Sequence, residues 1–171
     1  GLSSFSLHSI DDAKQHGAVT ILESGSSHVL YQTATLKEEY QKFGIKTVPF
    51  QTAHPKIIEK ELKEYEAADY ISIPSKFNKR TFLERGISEA KIIQIPYGVD
   101  LSMFRQVPKE DSIFRIVFGG GLSLRKGVHY LLRAFSELQL PNSELLLIGP
   151  ENEEILPFLK EYEGKFRRID Y

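Results

Sequence analysis

Apolar positions along the chain alternate between the spacing of strands and the spacing of amphipathic helices. Short apolar runs predict four strands in the first part of the chain, at residues 18–22, 45–50, 70–74 and 91–95. The spacing in between predicts helices: one over 29–43 that ends at Gly44, one that begins at Pro55, and one that Ser75 caps and Gly86 ends. Strands and helices therefore alternate.

The pattern is interrupted at residues 100–111, which are polar, rich in turn-forming residues and aperiodic. We place a linker there, between a first domain over 1–99 and a second over 112–171. After it, strands are predicted at 113–118 and 145–148, and helices at 128–138 and 151–163. The run 145–148 has no polar alternation, which predicts a central strand buried on both faces. Pro157 indicates a kink or a late start in the last helix.

Strand–helix–strand repeats of this length predict an α/β fold, with Rossmann-like parallel sheets flanked by helices. Neither half contains the roughly six strands of a complete doubly wound domain. We therefore expect a fragment of a longer protein, or a partner that completes the sheets. An incomplete sheet also favours homo-oligomer formation through its edge.

Composition excludes several classes of function. The 22 Lys and Arg residues nearly balance the 23 Asp and Glu residues, so no nucleic-acid partner is expected. The absence of cysteine excludes disulfides and thiolate metal sites, and it agrees with a cytoplasmic location. No apolar run approaches the roughly 18 residues of a membrane span, so no integral membrane segment is expected. No His and carboxylate pair at ligand spacing suggests a metal.

The best candidate for chemistry is the loop Gly119–Gly127, which follows a predicted strand and precedes a predicted helix. Glycines at 120 and 121 let a phosphate approach the backbone, and the helix start offers unpaired N–H groups. Arg125 and Lys126 add two positive charges. The loop is neither a P-loop nor a dinucleotide fingerprint. A glycine turn with solvated basic residues is an equally good interpretation from composition alone.

Further short motifs follow one another in a recognisable order over about half of the chain. They lie at Glu64–Asp69, Ile73–Ser75, Lys91–Asp100 with Phe104, Gly119–Gly127, Leu131–Phe135 and Leu145–Pro150. This series resembles the middle of a family-4 glycosyltransferase. The resemblance implies the GT-B fold, in which two Rossmann-like domains enclose the active site. Residues 1–99 would then be part of the acceptor-side domain, and residues 112–171 the first part of the donor domain.

The resemblance also implies an activity: retaining, metal-independent transfer from a nucleotide-sugar donor to a sugar, lipid or other acceptor, without a cofactor. The donor-binding residues that it suggests are Gly98, Asp100, Gly120, Gly121, Arg125 and Lys126. Two positions depart from the family pattern. Gly121 stands where many members have arginine, and Tyr97 stands where asparagine is usual. The family's Glu-x7-Glu element would lie beyond residue 171, and its N-terminal glycine loop before residue 1.

Two residues after the first predicted strand are candidate catalytic groups. Parallel sheets bind ligands at the carboxyl ends of their strands, and Glu23 and His28 follow such an end. Many family members have a histidine at this place, where this chain has Glu23. Either residue could contact the reacting sugar or the acceptor. Alternatively, Ser27 or His28 merely caps the following helix.

The remaining polar residues suggest structural roles. Asp69 is expected in a turn or at a helix end, and the charged run 59–66 on a solvated helix face. The histidines at 8, 16, 54 and 129 are expected on the surface. Two functional alternatives to the transferase stay open. One is a non-catalytic, truncated module that binds nucleotide or phosphate, and the other is a different GT-B enzyme such as a sugar epimerase.

Overall fold

The computed structural model describes residues 1–45 and 53–169. Within them, the α-helices are Leu7–Gln15 (α1), Val29–Lys42 (α2), Pro55–Ala67 (α3), Lys76–Leu83 (α4), Val128–Leu138 (α5) and Leu156–Glu161 (α6). The strands of the same residues are Ile21–Glu23 (β1), Tyr70–Ile73 (β2), Ile92–Gln94 (β3), Phe114–Gly119 (β4), Ser143–Ile148 (β5) and Arg167–Ile169 (β6). The strand predicted at 45–50 lies, apart from Ile45, outside the described residues.

The chain forms two compact units, which are described separately. The first comprises Gly1–Glu38 and Thr52–Met103, and the second comprises Glu39–Gln51 and Phe104–Tyr171. The division after Met103 falls in the segment where the sequence suggested a linker. The last residues of α2 belong to the second unit, whereas the sequence-based division places all of α2 in the first domain.

The first unit contains a parallel sheet in the order β1-β2-β3. Its register pairs Leu22 with Ile71 and Ile71 with Ile92. Leu22 and Ile71 are fully buried, as are Tyr65 from α3 and Phe82 from α4. Helices therefore cover the sheet through the apolar positions that their spacing predicted.

Helix α1 was not predicted, and its start depends on a residue of α3. The Glu64 carboxylate accepts the backbone N–H groups of Ser4 and Ser6, both at 2.7 Å, and of Leu7 at 3.0 Å. Glu64 is completely buried. The prediction that the whole of 59–66 is a solvated face was therefore wrong at this position, because Glu64 supplies the acceptor that the first amides of α1 need.

The second unit contains a parallel sheet in the order β4-β5-β6. The predicted central position of 145–148 is confirmed, since β5 pairs with both neighbours. The predicted burial on both faces was wrong. Leu145 and Leu147 are fully buried, whereas Leu146 and Ile148, on the opposite face, are only partly so. On the edge strand β4, Phe114 and Val117 are each 55% exposed.

The predicted fold class is confirmed: the structure is α/β, with parallel sheets flanked by helices. The predicted boundary signals also hold. The Ser75 hydroxyl accepts the Asn78 N–H at 3.1 Å at the start of α4. Pro55 is the first residue of α3, and Pro157 lies in the first turn of α6. The last helix therefore starts late, after a 3-10 turn at Glu153–Ile155. No helix in the described part of the chain has the length and apolar character needed to cross a membrane.

Candidate functional site

The loop after β4 begins where the carboxyl ends of β4 and β5 lie side by side in close contact. Gly120 has a φ of 133°, and its N–H donates to the Ile148 carbonyl at 2.9 Å. Gly149 follows β5 with a φ of 134°, and a Cβ there would lie 2.3 Å from the Gly120 carbonyl oxygen. Only glycine fits at residue 149, because both the space and the backbone angle exclude a side chain.

Leu122 anchors the loop to the segment that leaves β5. Its side chain is fully buried, its N–H donates to the Pro150 carbonyl at 2.7 Å, and its carbonyl accepts the Asn152 N–H at 3.0 Å. The backbone of the loop is therefore fixed at the carboxyl ends of β4 and β5. In parallel sheets this edge is where ligands bind.

Helix α5 does not begin directly after the glycines. A 3-10 turn at Leu124–Lys126 and Gly127, in the left-handed region at φ 72°, come first. The N–H of Val128, the first residue of α5, points to the Ser123 carbonyl at 3.5 Å. These residues separate the start of α5 from the glycine turn. The polar groups nearest to the strand ends are therefore those of the loop itself.

Arg125 and Lys126 are exposed at the end of this loop, after the buried Ser123 and Leu124. Among the described residues, no carboxylate lies within ion-pairing distance of the Lys126 ammonium group, and no acceptor binds the Gly121 N–H. The Gly120 N–H, in contrast, is already used by β5. The arrangement can therefore offer one backbone amide and a cationic side chain to an anion.

The suggested donor residues belong to different units. Gly120, Gly121, Arg125 and Lys126 lie in the second unit, and Gly98 and Asp100 in the first. The Asp100 carboxylate accepts the Ser102 hydroxyl at 2.7 Å and its N–H at 2.9 Å, so it caps a 3-10 turn at Leu101–Met103. These two hydrogen bonds lower the pKa of Asp100. Gly98 is exposed.

Glu23 is the last residue of β1, and its side chain is exposed. Its backbone N–H donates to the Gly1 carbonyl at 2.7 Å, and its carbonyl accepts the Ser3 N–H at 2.9 Å. The N-terminal residues thus lie beside Glu23 on one side, and β2 pairs with it on the other. This places the carboxylate at the carboxyl edge of the first sheet.

His28 is buried at the start of α2, with 2% of its surface exposed. Its Nδ1 accepts the Leu30 N–H at 3.2 Å, and its own N–H donates to the Thr81 hydroxyl at 3.0 Å. The Tyr65 and Phe82 rings lie 5.0 and 5.1 Å from the imidazole. Burial and then the nearby Arg85 lower the pKa of His28 to about 4. The ring therefore caps the helix, as one interpretation of the sequence expected.

His129 was predicted on the surface, and this prediction was wrong. It is 3% exposed, and its Nε2 lies 2.8 Å from a carboxylate oxygen of Glu39 in the same unit. The rings of Phe43, Tyr130 and Phe158 surround it at 4.8, 4.1 and 5.4 Å. Sequence reasoning missed this pair, because its two members are far apart in the chain and match no motif.

Comparisons with protein-family models and with curated protein sequences give no match. Among solved structures, the chain is similar to a lipopolysaccharide outer core galactosyltransferase, WaaB, in its apo form, with 20% sequence identity and a TM-score of 0.48. The match covers 96% of this chain and 46% of that one. The chain thus spans about half the length of that protein. At this identity and TM-score, the likeness defines neither a family nor an activity for the chain.

Proposed function

We propose that the chain is part of a GT-B glycosyltransferase, and that the loop Gly119–Gly127 holds the diphosphate of a nucleotide-sugar donor. The observation that carries the proposal is the placement of this loop at the carboxyl ends of β4 and β5, with Lys126 exposed and the Gly121 amide unpaired among the described residues. The order of motifs from Glu64 to Pro150 supports the same assignment.

Glycosyl transfer breaks the bond between the anomeric carbon and the diphosphate oxygen, so negative charge grows on the leaving group. A fixed donor aimed at such a developing charge lowers the barrier by about 3 kcal/mol. The Lys126 ammonium group would supply this stabilisation, together with the Gly121 N–H. Leu122 holds the loop in place, so little reorganisation would be needed when the charge develops.

The finer features of the proposal rest on the family resemblance. They are retention of configuration, independence of metals, and an acceptor that is a sugar, a lipid or another molecule. Arg125 is a second candidate for contact with the diphosphate, and Gly98 and Asp100 for contact with the rest of the donor. Glu23 is the better candidate for contact with the reacting sugar, because it is exposed at a carboxyl strand end, whereas His28 is buried in a capping position.

Calorimetric titration with UDP, GDP and ADP tests the diphosphate site. We expect at least one of them to bind, and Lys126→Ala to weaken its binding about 10- to 100-fold, the loss of a charge-assisted hydrogen bond. Lys160→Ala removes the same charge from an exposed position of α6 in the same unit, and it should leave the affinity unchanged. An equal loss in both variants, or no binding of any of the three diphosphates, would contradict the proposal.

Product analysis separates the transferase from the other two functions. A transferase forms a glycosylated acceptor and releases the nucleoside diphosphate. An epimerase changes the sugar without needing an acceptor. A binding module leaves the nucleotide sugar unchanged, so binding without turnover over a broad set of acceptors would favour that alternative.

A further inference from the structure

The first unit contains a cavity of about 540 Å³ that the proposed function does not use. Leu30, Leu62 and Ile87 form much of its apolar wall, and His28, Arg85 and Lys91 contribute its nitrogen-bearing groups. The volume lies within the range of small-molecule sites, which combine apolar walls with a few convergent polar groups.

The buried imidazole of His28 presents a hydrogen-bond donor at this cavity. Because Nδ1 accepts the Leu30 N–H, the proton of the neutral ring is on Nε2. In the parts of the chain that the structure describes, no acceptor lies within hydrogen-bonding distance of Nε2. The ring is held between Tyr65 and Phe82, so this donor has a fixed direction.

Two cationic side chains line the same cavity. Lys91 donates to the carbonyls of Tyr65 and Glu66 at 2.8 and 2.7 Å, which leaves one of its three N–H groups for a ligand. Arg85 has no carboxylate partner among residues 1–45 and 53–169. Its side chain is exposed just after α4, and it lines the same cavity as His28.

We propose that this cavity binds a small molecule with an oxyanion, a phosphate or a carboxylate, attached to an apolar body. The oxyanion would lie against the His28 Nε2–H, the Arg85 guanidinium and the remaining Lys91 N–H. The apolar body would lie against Leu30, Leu62 and Ile87. Glu66 also lines the cavity, so its wall carries two cationic side chains, Arg85 and Lys91, against one carboxylate.

All residues that line this cavity belong to the first unit, whereas the proposed diphosphate loop belongs to the second. Arg85 and Lys91 precede β3, and Tyr65 precedes β2, whereas His28 follows β1. The proposal therefore does not rest on the transferase assignment, and the two can fail independently.

Two-dimensional NMR titration of the whole chain with phenyl phosphate tests the site. We expect saturable shifts at the Ile87 and Ser88 amides and at the His28 Nε2–H. Arg85→Gln should weaken binding about tenfold or more, because it removes one charge-assisted contact. Arg80→Gln removes the same charge from the exposed face of α4 and should keep the original affinity.

Inorganic phosphate and benzoate are the comparison ligands. Inorganic phosphate should bind more weakly than phenyl phosphate, since it lacks the apolar body. Benzoate binding that depends on Arg85 would identify a carboxylate as the natural group, and its failure beside phenyl phosphate would identify a phosphate. The proposal would be overturned if no ligand shifts the Ile87 and Ser88 amides, or if Arg85→Gln and Arg80→Gln have equal effects.

Discussion

The imidazole of His28 combines two roles that both require a neutral ring. Its Nδ1 must be unprotonated to accept the Leu30 N–H and cap α2, and the ring lies buried between two aromatic side chains. A charge there would lose hydration and face the positive Arg85. The folded chain is therefore most stable when His28 is uncharged.

This preference makes the stability of the protein depend on pH. The pKa of His28 is about 4 in the folded chain and about 6.5 when the chain is unfolded. Between these values the unfolded chain binds more protons, so the free energy of unfolding falls as the pH falls from about 6.5 to 4. We expect His28 to contribute up to about 3 kcal/mol of this loss, measured by urea unfolding at a series of pH values.

The control for this measurement uses a cap that does not titrate. His28→Asn keeps an acceptor for the helix start, and we expect it to flatten the pH dependence in this range. His8→Asn changes an exposed histidine of α1 and should keep the original dependence. An unchanged pH dependence in His28→Asn would show that the ring is not buried in its neutral form.

At the level of single residues, the sequence suggested a catalytic or capping role for His28, because it follows a strand end. It suggested no such role for His129, which directly follows Val128 at the start of a helix. The burial of His129 comes from Phe43 and Phe158, which lie in distant parts of the chain. Local spacing contains no information on such neighbours.

Among the elements, α1 shows most clearly how a helix can depend on a remote side chain. Its N-cap, Ser6, makes no side-chain capping bond, and Ile10 is its one fully buried residue. The Glu64 carboxylate instead accepts two of the first amides, at Ser6 and Leu7. This helix could not be predicted from its own residues, because its acceptor is supplied by α3.

Replacement of Glu64 by glutamine tests this dependence. Glutamine has one carboxamide oxygen where Glu64 has two carboxylate oxygens, and both of these accept backbone N–H groups. In the variant, the side-chain NH₂ group, which is a donor, would therefore face at least one backbone N–H, which is also a donor. We expect a loss of about 2–3 kcal/mol in the free energy of unfolding, the value of a hydrogen bond to a charged group. Amide exchange should be faster at Ser6 and Leu7. Glu66→Gln, at an exposed position of the same helix, should have little effect, and equal exchange rates in both variants would refute the capping role.

Elements with their own start and stop signals were predictable. Helices α2, α3 and α4 are bounded by Gly44, Pro55 and Ser75, and each begins or ends within about two residues of the predicted position. Strand β6 was not predicted as an element, because Arg167–Ile169 contains two arginines and no apolar alternation. Its assignment to the sheet depends on pairing with β5, which no local pattern reveals.

For the molecule as a whole, the alternation of elements was enough to predict parallel sheets and the α/β class. The details of the candidate site were not predictable to the same degree. The Gly120 N–H is used by the Ile148 carbonyl, and this bond exists because β4 and β5 end side by side. The start of α5 is set back by a 3-10 turn, which the run from Gly119 to Gly127 does not indicate.

The balance of charge over the whole chain gives a final prediction about the kind of anion it binds. The net charge is −1, so attraction of a phosphate must come from local groups such as Lys126 rather than from an extended positive field. A nucleoside diphosphate that touches one or two cations should lose less than about tenfold in affinity between about 50 and 200 mM salt, whereas proteins that contact 6–10 DNA phosphates lose about 10³–10⁵.

We therefore expect that a labelled DNA duplex shows no saturable change in fluorescence anisotropy at about 150 mM salt, while UDP, GDP or ADP still binds under the same conditions. The reason is geometric as well as electrostatic: a duplex needs a row of cations, and the loop offers Arg125 and Lys126 at a single exposed turn. Tight DNA binding with a steep salt dependence would mean that the basic residues form a surface that binds polyanions in general. The electrostatic argument for a specific diphosphate site would then fail.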